Sequence, residues 1–278
     1  MGGGSQQGGG SFPVNQRGKT SYSTSYGSIF DCWKCGKPGS VITLAHDYLT
    51  LNNVGDLFQI TQNVDQGEVV TASILTTDGL FSGTVTIPVA TSENIGINAY
   101  QGNGITIAVF GLAGGNVQFS ILTDTEKNLI AGKLELGSTQ TLAYKDEESN
   151  WKLFETPDYA GELARCQRYL LVLPGFNTVF SNIGVGSFFS ETEAEITIPT
   201  PTTMRIMPTC AATGNWLLRG SGQLINVEAG ASNFFVQQMS SNAVSMIING
   251  LSGCPVNQAT QLLRSNNSTA KITLSAEL

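Results

Sequence analysis

Residues able to perform acid–base, nucleophilic or metal chemistry are few in this chain of 278 residues. His46 is the only histidine, so a catalytic triad or a Cys-His pair would have to use it, and a histidine-rich zinc site is excluded. The chain has no Gly-x-Ser-x-Gly stretch that would form a nucleophile elbow. These features weaken most hydrolase assignments, and the sequence predicts a protein that is not an enzyme and uses no cofactor.

One pair of cysteines has the spacing of a metal or redox site. Cys32 and Cys35 are separated by two residues, but a structural zinc ion would need two further ligands, of which His46 is the nearest. A disulfide is a second alternative, although the pattern lacks the βαβ context of redox pairs. Two ordinary cysteines in a loop at a strand edge are the favoured interpretation.

Three carboxylates alternate along one segment. Glu191, Glu193 and Glu195 would share one face of a strand, where they could bind Ca²⁺ or act as the acid pair of a glycosidase. The favoured interpretation is a solvated edge strand whose charges discourage aggregation.

Several aromatic residues have the neighbours expected of a sugar-binding surface, which combines aromatic faces with side chains that hydrogen-bond hydroxyl groups. Tyr100 is flanked by Asn98, Gln101 and Asn103 near a glycine turn. Trp151 lies in a polar segment, and Trp216 follows Gly-Asn. These residues are the predicted glycan contacts, with burial in the core as the alternative. For Trp33, burial in the core is the favoured interpretation.

The composition excludes several classes of partner. Only 13% of residues are charged and the net charge is −7, so no basic stripe for nucleic acid is present. No apolar run reaches the roughly 18 residues that a membrane span needs. The first 11 residues are Gly, Ser and Gln after Met1 and show no secretory pattern, so we expect a flexible tail there.

The remaining sequence predicts an all-β fold of two tandem β-sandwiches. Short runs that alternate apolar with Thr, Ser or Gln recur about every ten residues, separated by turns such as Asp78-Gly79 and Gly102-Asn103-Gly104. We expect an N-terminal sandwich at 12–144, a polar linker at 145–161, and a jelly-roll-like sandwich at 162–278. The second series includes predicted strands at 165–173 and 203–207, and 257–264 is the best candidate for a helical turn.

Five phrases, in order, resemble one family. They are Pro13-Val14-Asn15-Gln16-Arg17-Gly18 with Tyr26 and Asp31-Cys32-Trp33, then Lys133 to Ser138 (KLELGS), Glu162 to Tyr169 (ELARCQRY), Thr203 to Thr209 (TMRIMPT), and the ending Leu274 to Leu278. Together they resemble phage and prophage tail-fibre or receptor-binding proteins. Cys32 stands where that family usually has Arg, and Leu170 where it often has Tyr.

The resemblance implies a virion structural protein, often trimeric, with carbohydrate-binding-module-like folds. The expected role is attachment to host-surface polysaccharide as a fibre or tail-tip component, with other virion proteins as partners. A purely architectural head-fibre, capsid or tail decoration protein is one alternative, and a depolymerase or glycosidase is another. Many weak sites repeated around a virion would give firm attachment.

Overall fold

The computed structural model describes residues 21–24, 27–28, 33–45, 48–52, 54–62, 64–90, 96–155, 159–174, 179–220, 222–230, 233–266 and 269–276. The chain divides into two compact units, Met1–Glu162 and Leu163–Leu278. Within the described residues the fold is all-β, as the sequence predicts, with one helix. That helix, α1 (Tyr159–Gln167), begins in the first unit and ends in the second.

The first unit is built from strands β1 to β14. They are β1 (Ser21–Thr24), β2 (Gly27–Ser28), β3 (Lys34–Cys35), β4 (Ser40–Leu44), β5 (Leu49–Leu51), β6 (Asp56–Gln62), β7 (Val69–Thr76), β8 (Gly79–Thr86), β9 (Gly96–Gly102), β10 (Ile105–Leu112), β11 (Asn116–Thr123), β12 (Lys127–Leu136), β13 (Ala143–Lys145) and β14 (Trp151–Leu153). Two six-stranded antiparallel sheets have the orders β1-β4-β5-β12-β7-β8 and β2-β3-β6-β11-β10-β9, and β13 pairs with β14. The segment predicted as a linker therefore contains half of a hairpin and the start of α1.

Alternation along the strands explains the core of this unit. In β10, Ile105, Ile107 and Val109 are buried and belong to one cluster with side chains of both sheets. Trp33 belongs to the same cluster, with its ring centroid 6.1 Å from that of Phe119, which confirms the prediction that it is a core residue. Two sheets that share such a core form a sandwich.

The two sheets approach each other closely where β8 passes β9. A Cβ at Gly83 would overlap the carbonyl oxygen of Ala99, so only glycine allows this approach without a shift of the backbone. The contact fixes the position of β9 at the margin of the sandwich. The proposed ligand-binding residues of β9 depend on that position.

The second unit continues from α1 with strands β15 to β24. They are β15 (Leu170–Leu173), β16 (Asn182–Ser190), β17 (Glu193–Pro199), β18 (Thr209–Thr213), β19 (Asn215–Gly220), β20 (Gln223–Glu228), β21 (Phe234–Met239), β22 (Ala243–Ile248), β23 (Ala259–Arg264) and β24 (Lys271–Ser275). A three-stranded sheet, β15-β24-β18, and a seven-stranded sheet, β20-β19-β23-β16-β17-β22-β21, contribute side chains to one core.

Three local predictions in this unit are wrong. Residues 165–167 belong to α1 rather than to a strand, and 203–207 lie in the loop before β18. Residues 259–264 form β23 rather than a helical turn, because Leu262 packs into the core in the alternating pattern of a strand.

Candidate functional site

Three connections lie at one end of the first unit, two of them hairpin turns and the third a crossover between the two sheets. They connect β7 to β8 at 77–78, β9 to β10 at 103–104, and β11 to β12 at 124–126. Ile105 pairs with Gly102 on one side and with Thr123 on the other, so the turns at 103–104 and 124–126 are neighbours. Short polar turns at one end of a rigid sandwich are a common setting for ligand binding.

The β9–β10 turn has a defined geometry. Asn103 and Gly104 have φ angles of 51° and 73°, the left-handed pair that a two-residue type I′ hairpin requires. Asn and Gly are the residues that accept this conformation most readily. The Nδ2 of Asn103 donates a hydrogen bond to Tyr100 Oη at 3.1 Å, which orients the amide at the tip.

Tyr100 supports this turn and does not present an open aromatic platform. Its ring packs against the core, with its centroid 5.3 Å from that of Phe81. The hydroxyl accepts from Asn103, so the side chain links the core to the hairpin tip. Nearby on β9, the Nδ2 of Asn98 donates to Gln101 Oε1 at 3.3 Å. The structure thus brings three predicted contact residues together, with Tyr100 in a positioning role.

Two polar hollows flank the tip of the hairpin. The first hollow, of about 460 Å³, is lined by Lys37, Gln101, Gly102, Asn103, Gly104, Ile105, Thr106, Leu122, Thr123 and Asp124. The second hollow, of about 520 Å³, is lined by Asp78, Phe81, Asn103, Gly104, Thr125 and Lys127. Asn103 and Gly104 border both hollows. Volumes of this size lie at the lower end of the roughly 300–1,000 Å³ that is usual for small-ligand sites.

An ion pair forms one wall of the second hollow. Lys127 Nζ lies 2.7 Å from Asp78 Oδ2, and the exposed fractions of the two side chains are 11% and 54%. The lysine is therefore held in place by packing, while the carboxylate remains open to solvent. A carboxylate in this position can accept hydrogen bonds from ligand hydroxyl groups.

Lys37 in the first hollow lies near a partly buried carboxyl group. Asp56 pairs with Leu122, which also lines this hollow, and Asp56 Oδ1 is buried without a hydrogen-bond partner among the described residues. Burial raises the pKa of the Asp56 carboxyl above its ordinary value, and the Lys37 ammonium opposes part of that rise.

Trp151 lies beside the turn that borders the second hollow. Its Nε1 is 3.5 Å from the position that a Cβ would take at Gly79, the residue after Asp78. The side chain is 36% exposed, and Lys145 Nζ lies 5.2 Å from the ring centroid. Of the predicted aromatic contacts, Trp151 is the one that offers an indole surface to solvent.

Trp216 was expected to contact glycan, and this prediction is wrong. The side chain is fully buried in the second unit, where its Nε1 donates to the carbonyl oxygen of Thr213 at 3.1 Å. Its ring packs on Phe234 with centroids 6.4 Å apart. An apolar side chain of this size contributes more to stability in the core than at the surface, which explains its position.

The weak metal candidates are only partly described. Cys32 and His46 lie outside the described residues. Cys35 is buried in β3, and its Sγ donates to the carbonyl oxygen of Lys37 at 3.4 Å. Within the described ranges, no group of three or more His, Cys, Asp or Glu side chains is placed to hold a metal ion.

The three alternating glutamates do not form one strand face. Glu191 lies in the turn before β17, and β17 is an interior strand between β16 and β22, so the edge-strand interpretation is wrong. Glu195 Oε1 accepts a hydrogen bond from Ser245 Oγ at 2.5 Å. This arrangement engages Glu195 within the sheet and separates it from Glu191.

The outer face of the seven-stranded sheet mixes apolar side chains with polar ones such as Thr197, Ser245 and Gln261. We call its apolar part, together with Phe180 before β16, the apolar face. Its members are Phe180, Val185, Leu224 and Phe235, which are exposed, and Leu217, Ile247 and Leu263, which are largely buried. Phe180, Val185 and Leu224 are 53–62% exposed and border a groove of about 1,320 Å³. Arg219 lies in this groove, and Glu195 lies on the other side of the central strand β16. Exposed patches of this kind usually mark interaction surfaces.

Sequence reasoning missed the residues that line the hollows beside the predicted contacts. These are Lys37, Asp78, Asp124, Thr125 and Lys127. A signal was present, because turns were predicted at 78–79 and 102–104. Their convergence depends on strand order, which local patterns do not specify.

No family model matches this chain, and no curated protein matches it. Within the described parts of the chain, no helix is long and apolar enough to cross a membrane.

Proposed function

We propose that this chain is a phage virion structural protein, a fibre or tail-tip component that attaches to host-surface glycans through the turn end of its first unit. The observation that carries the proposal is the set of polar turns around Asn103, where two hollows adjoin an exposed tryptophan. Sugars present hydroxyl rims and flat C–H faces, so amides, carboxylates and an indole suit them. The ordered resemblance of five phrases to tail-fibre proteins supports the same role.

Weak individual sites suffice for this function when many copies act together. A shallow site on a single chain binds its ligand weakly. When the chain is repeated around a virion, the first contact raises the effective concentration of the remaining sites at the host surface. The proposed assembly is a homotrimer joined to other virion proteins. Its location is the virion.

The test measures binding of the purified protein to surface polysaccharides isolated from candidate host bacteria. We expect saturable binding that Trp151→Ala weakens by about tenfold, in line with about 1.4 kcal/mol for a lost aromatic contact. Phe154→Ala is the matched control, because Phe154 is 55% exposed on the same hairpin segment and its ring contacts Tyr144 rather than the hollows. Absence of saturable binding to every polysaccharide, or equal losses in the two variants, would contradict the proposal.

A second candidate function, a purely architectural protein of the capsid or tail, is favoured by the apolar face. The apolar side chains extend from β20 to β21, so a small ligand in the groove would leave Phe235 uncovered. Another copy of this chain is the occupant we propose. Arg219 and Glu195 carry opposite charges on the two sides of β16, which gives the face complementary flanks.

A trimer with threefold symmetry would bury the apolar face of every copy. When three sheets turn their faces toward a common axis, one flank of each sheet meets the opposite flank of its neighbour. Arg219 of each copy then lies beside a neighbour's Glu195, and Val185 on the central strand points toward the axis. The contact is heterologous and closes after three copies.

Molar mass in solution tests this arrangement. We expect a trimer that Val185→Glu converts to monomer, because three buried carboxylates near one axis repel each other and lose hydration. Val89→Glu is the matched control, since Val89 is 68% exposed in the first unit. A monomeric wild-type protein would contradict the assembly. A trimer that binds none of the polysaccharides would favour the architectural role.

A further inference from the structure

The two hollows are parts of one continuous surface. Asn103 and Gly104 line both of them, so the tip of the β9–β10 hairpin is the ridge that separates the first hollow from the second. Among the described residues, no other lining residue is shared between them. A ligand that enters one hollow therefore reaches the other by crossing this ridge.

The ridge is low because it consists of one short amide side chain and bare backbone. Gly104 has no side chain, and a Cβ there would lie 2.9 Å from Asp124 Oδ1 and would overlap the Thr125 hydroxyl. Tyr100 holds the Asn103 amide by the hydrogen bond to its hydroxyl. The amide keeps its carbonyl oxygen and a second N–H for a ligand that lies across the tip.

Each hollow balances one positive charge with one negative charge. Lys37 and Asp124 line the first hollow, and Lys127 and Asp78 line the second. Threonine and amide groups contribute to both linings. Ile105 and Leu122 add apolar groups to the first hollow, and Phe81 adds an apolar wall to the second. A site with no net charge, in a protein of net charge −7, does not attract an anionic ligand.

We propose that the hairpin tip divides a binding site into two adjoining subsites for successive sugar residues of a neutral glycan. This inference rests on the proposed function, since it specifies the ligand of the same site. The hydroxyl groups of one sugar face Lys37, Asp124 and Gln101, and those of the next face Asp78 and Thr125. The Asn103 amide lies at the linkage between them and contacts both.

Two adjoining subsites predict a dependence of affinity on ligand length. A monosaccharide fills one hollow, whereas a disaccharide occupies both with little additional loss of translational freedom. The contacts occur along the middle of a chain and do not require a free chain end. The site therefore recognises internal stretches of a polymer.

The test uses the full chain with a panel of neutral glucose, galactose and N-acetylglucosamine oligosaccharides of one to six residues, beside anionic oligosaccharides of the same lengths. We expect affinity for at least one neutral series to rise by about tenfold or more between one and two residues. The Lys37→Ala and Thr125→Ala variants, one for each hollow, should each remove this gain and retain binding of the monosaccharide. Asn103→Gly should weaken disaccharide binding about tenfold, since glycine keeps the backbone conformation and removes only the amide.

Matched controls separate local effects from general ones. Asn257 in the second unit also has a positive φ, 62°, so Asn257→Gly makes the same change at a residue that lines neither hollow. Lys152, 57% exposed and outside both linings, is the control for Lys37. Thermal unfolding of each variant shows whether the fold is retained.

The outcomes distinguish this inference from the proposed function. Equal affinity at every length, a preference for anionic oligosaccharides, or no binding of any neutral oligosaccharide would overturn the two-subsite inference, even if whole host polysaccharide binds. Loss of binding to the whole polysaccharide as well would overturn the proposed function.

Discussion

The Nδ2 of Asn103 lies 3.1 Å from Tyr100 Oη, so the tip of one hairpin is fixed to a side chain that packs on the sandwich core. Because Tyr100 also touches the ring of Phe81, the position of the amide depends on the packing of both sheets. The proposed ligand contact therefore occurs on a rigid support. A rigid support reduces the entropy lost on binding.

Removal of the hydroxyl oxygen of Tyr100 tests the role of its hydrogen bond with Asn103. Tyr100→Phe keeps the ring and deletes the acceptor of Asn103, so we expect a loss of about 1 kcal/mol or less in stability, together with several-fold weaker glycan binding. Urea unfolding and binding measurements give the two values. Tyr144→Phe is the control, since Tyr144 is exposed and contacts Phe154. Unchanged glycan affinity in Tyr100→Phe would show that the amide does not need this bond.

Because β8 and β9 lie so close together, the addition of a single methyl group at Gly83 should lower the stability of the protein. Gly83→Ala places a Cβ against the carbonyl oxygen of Ala99, and the backbone must shift to relieve the overlap, which costs about 1–3 kcal/mol. Gly230→Ala is the comparison, because its nearest contact is the Asn233 side chain at 3.7 Å. Denaturant unfolding measures both. Equal stabilities of the two variants would contradict the claim that β8 and β9 lie too close together to accept a Cβ at residue 83.

Burial of a thiol predicts how stability changes at high pH. Burial raises the pKa of Cys210 from its ordinary value of 9.0 to about 11. The unfolded chain loses the thiol proton near pH 9, while the folded chain keeps it until about pH 11. The contribution of this thiol to the free energy of unfolding is therefore fully present below pH 9 and is lost between pH 9 and 11. The loss amounts to about 3 kcal/mol, at about 1.4 kcal/mol for each pKa unit.

Comparison with Cys210→Ala isolates this contribution from the lysines and tyrosines that titrate in the same range. The unfolding free energy of the wild-type protein should fall more steeply than that of the variant between pH 9 and 11. Parallel curves of unfolding free energy against pH for the two proteins would contradict a raised pKa of Cys210.

Substitution of the buried Arg264 should cause a large loss of stability in the second unit. Its side chain is fully buried, and its Nε and Nη2 atoms donate to the carbonyl oxygen of Ala270 at 2.9 and 2.7 Å. Arg264→Ala leaves that oxygen without these donors and creates a cavity, so we expect a loss of about 3 kcal/mol. Arg168→Ala, at an exposed position, should change stability by about 0.5 kcal/mol or less. Similar unfolding midpoints for the two variants would contradict this prediction.

The fold class could be predicted because alternation is a local property. Ile105, Ile107 and Val109 indicate a strand buried on one face whatever lies across from it. The helix α1 was missed because residues 165–167 precede the apolar run Leu170–Leu173 without a strong turn signal, so helix and strand merged into one predicted strand. Trp216 was misplaced because local polarity, Gly214 and Asn215, does not reveal that its neighbours in the sheet enclose it.

The candidate site could be predicted only in part for a related reason. Asn98, Tyr100 and Gln101 are adjacent in sequence, so their association was visible. Lys37, Asp78 and Thr125 come from separate turns, and only the order of the strands brings them to the same end of the unit. Strand order depends on long-range pairing, which composition and periodicity do not determine.

Binding of host-surface polysaccharide by the Asn103→Gly and Asn257→Gly variants tests the central claim most directly, because both substitutions remove an amide at a positive-φ position and retain the backbone conformation. We predict that Asn103→Gly weakens binding by about tenfold, whereas Asn257→Gly binds as the wild-type protein does. Identical binding by the two variants, with both folded, would contradict a glycan site at the β9–β10 turn.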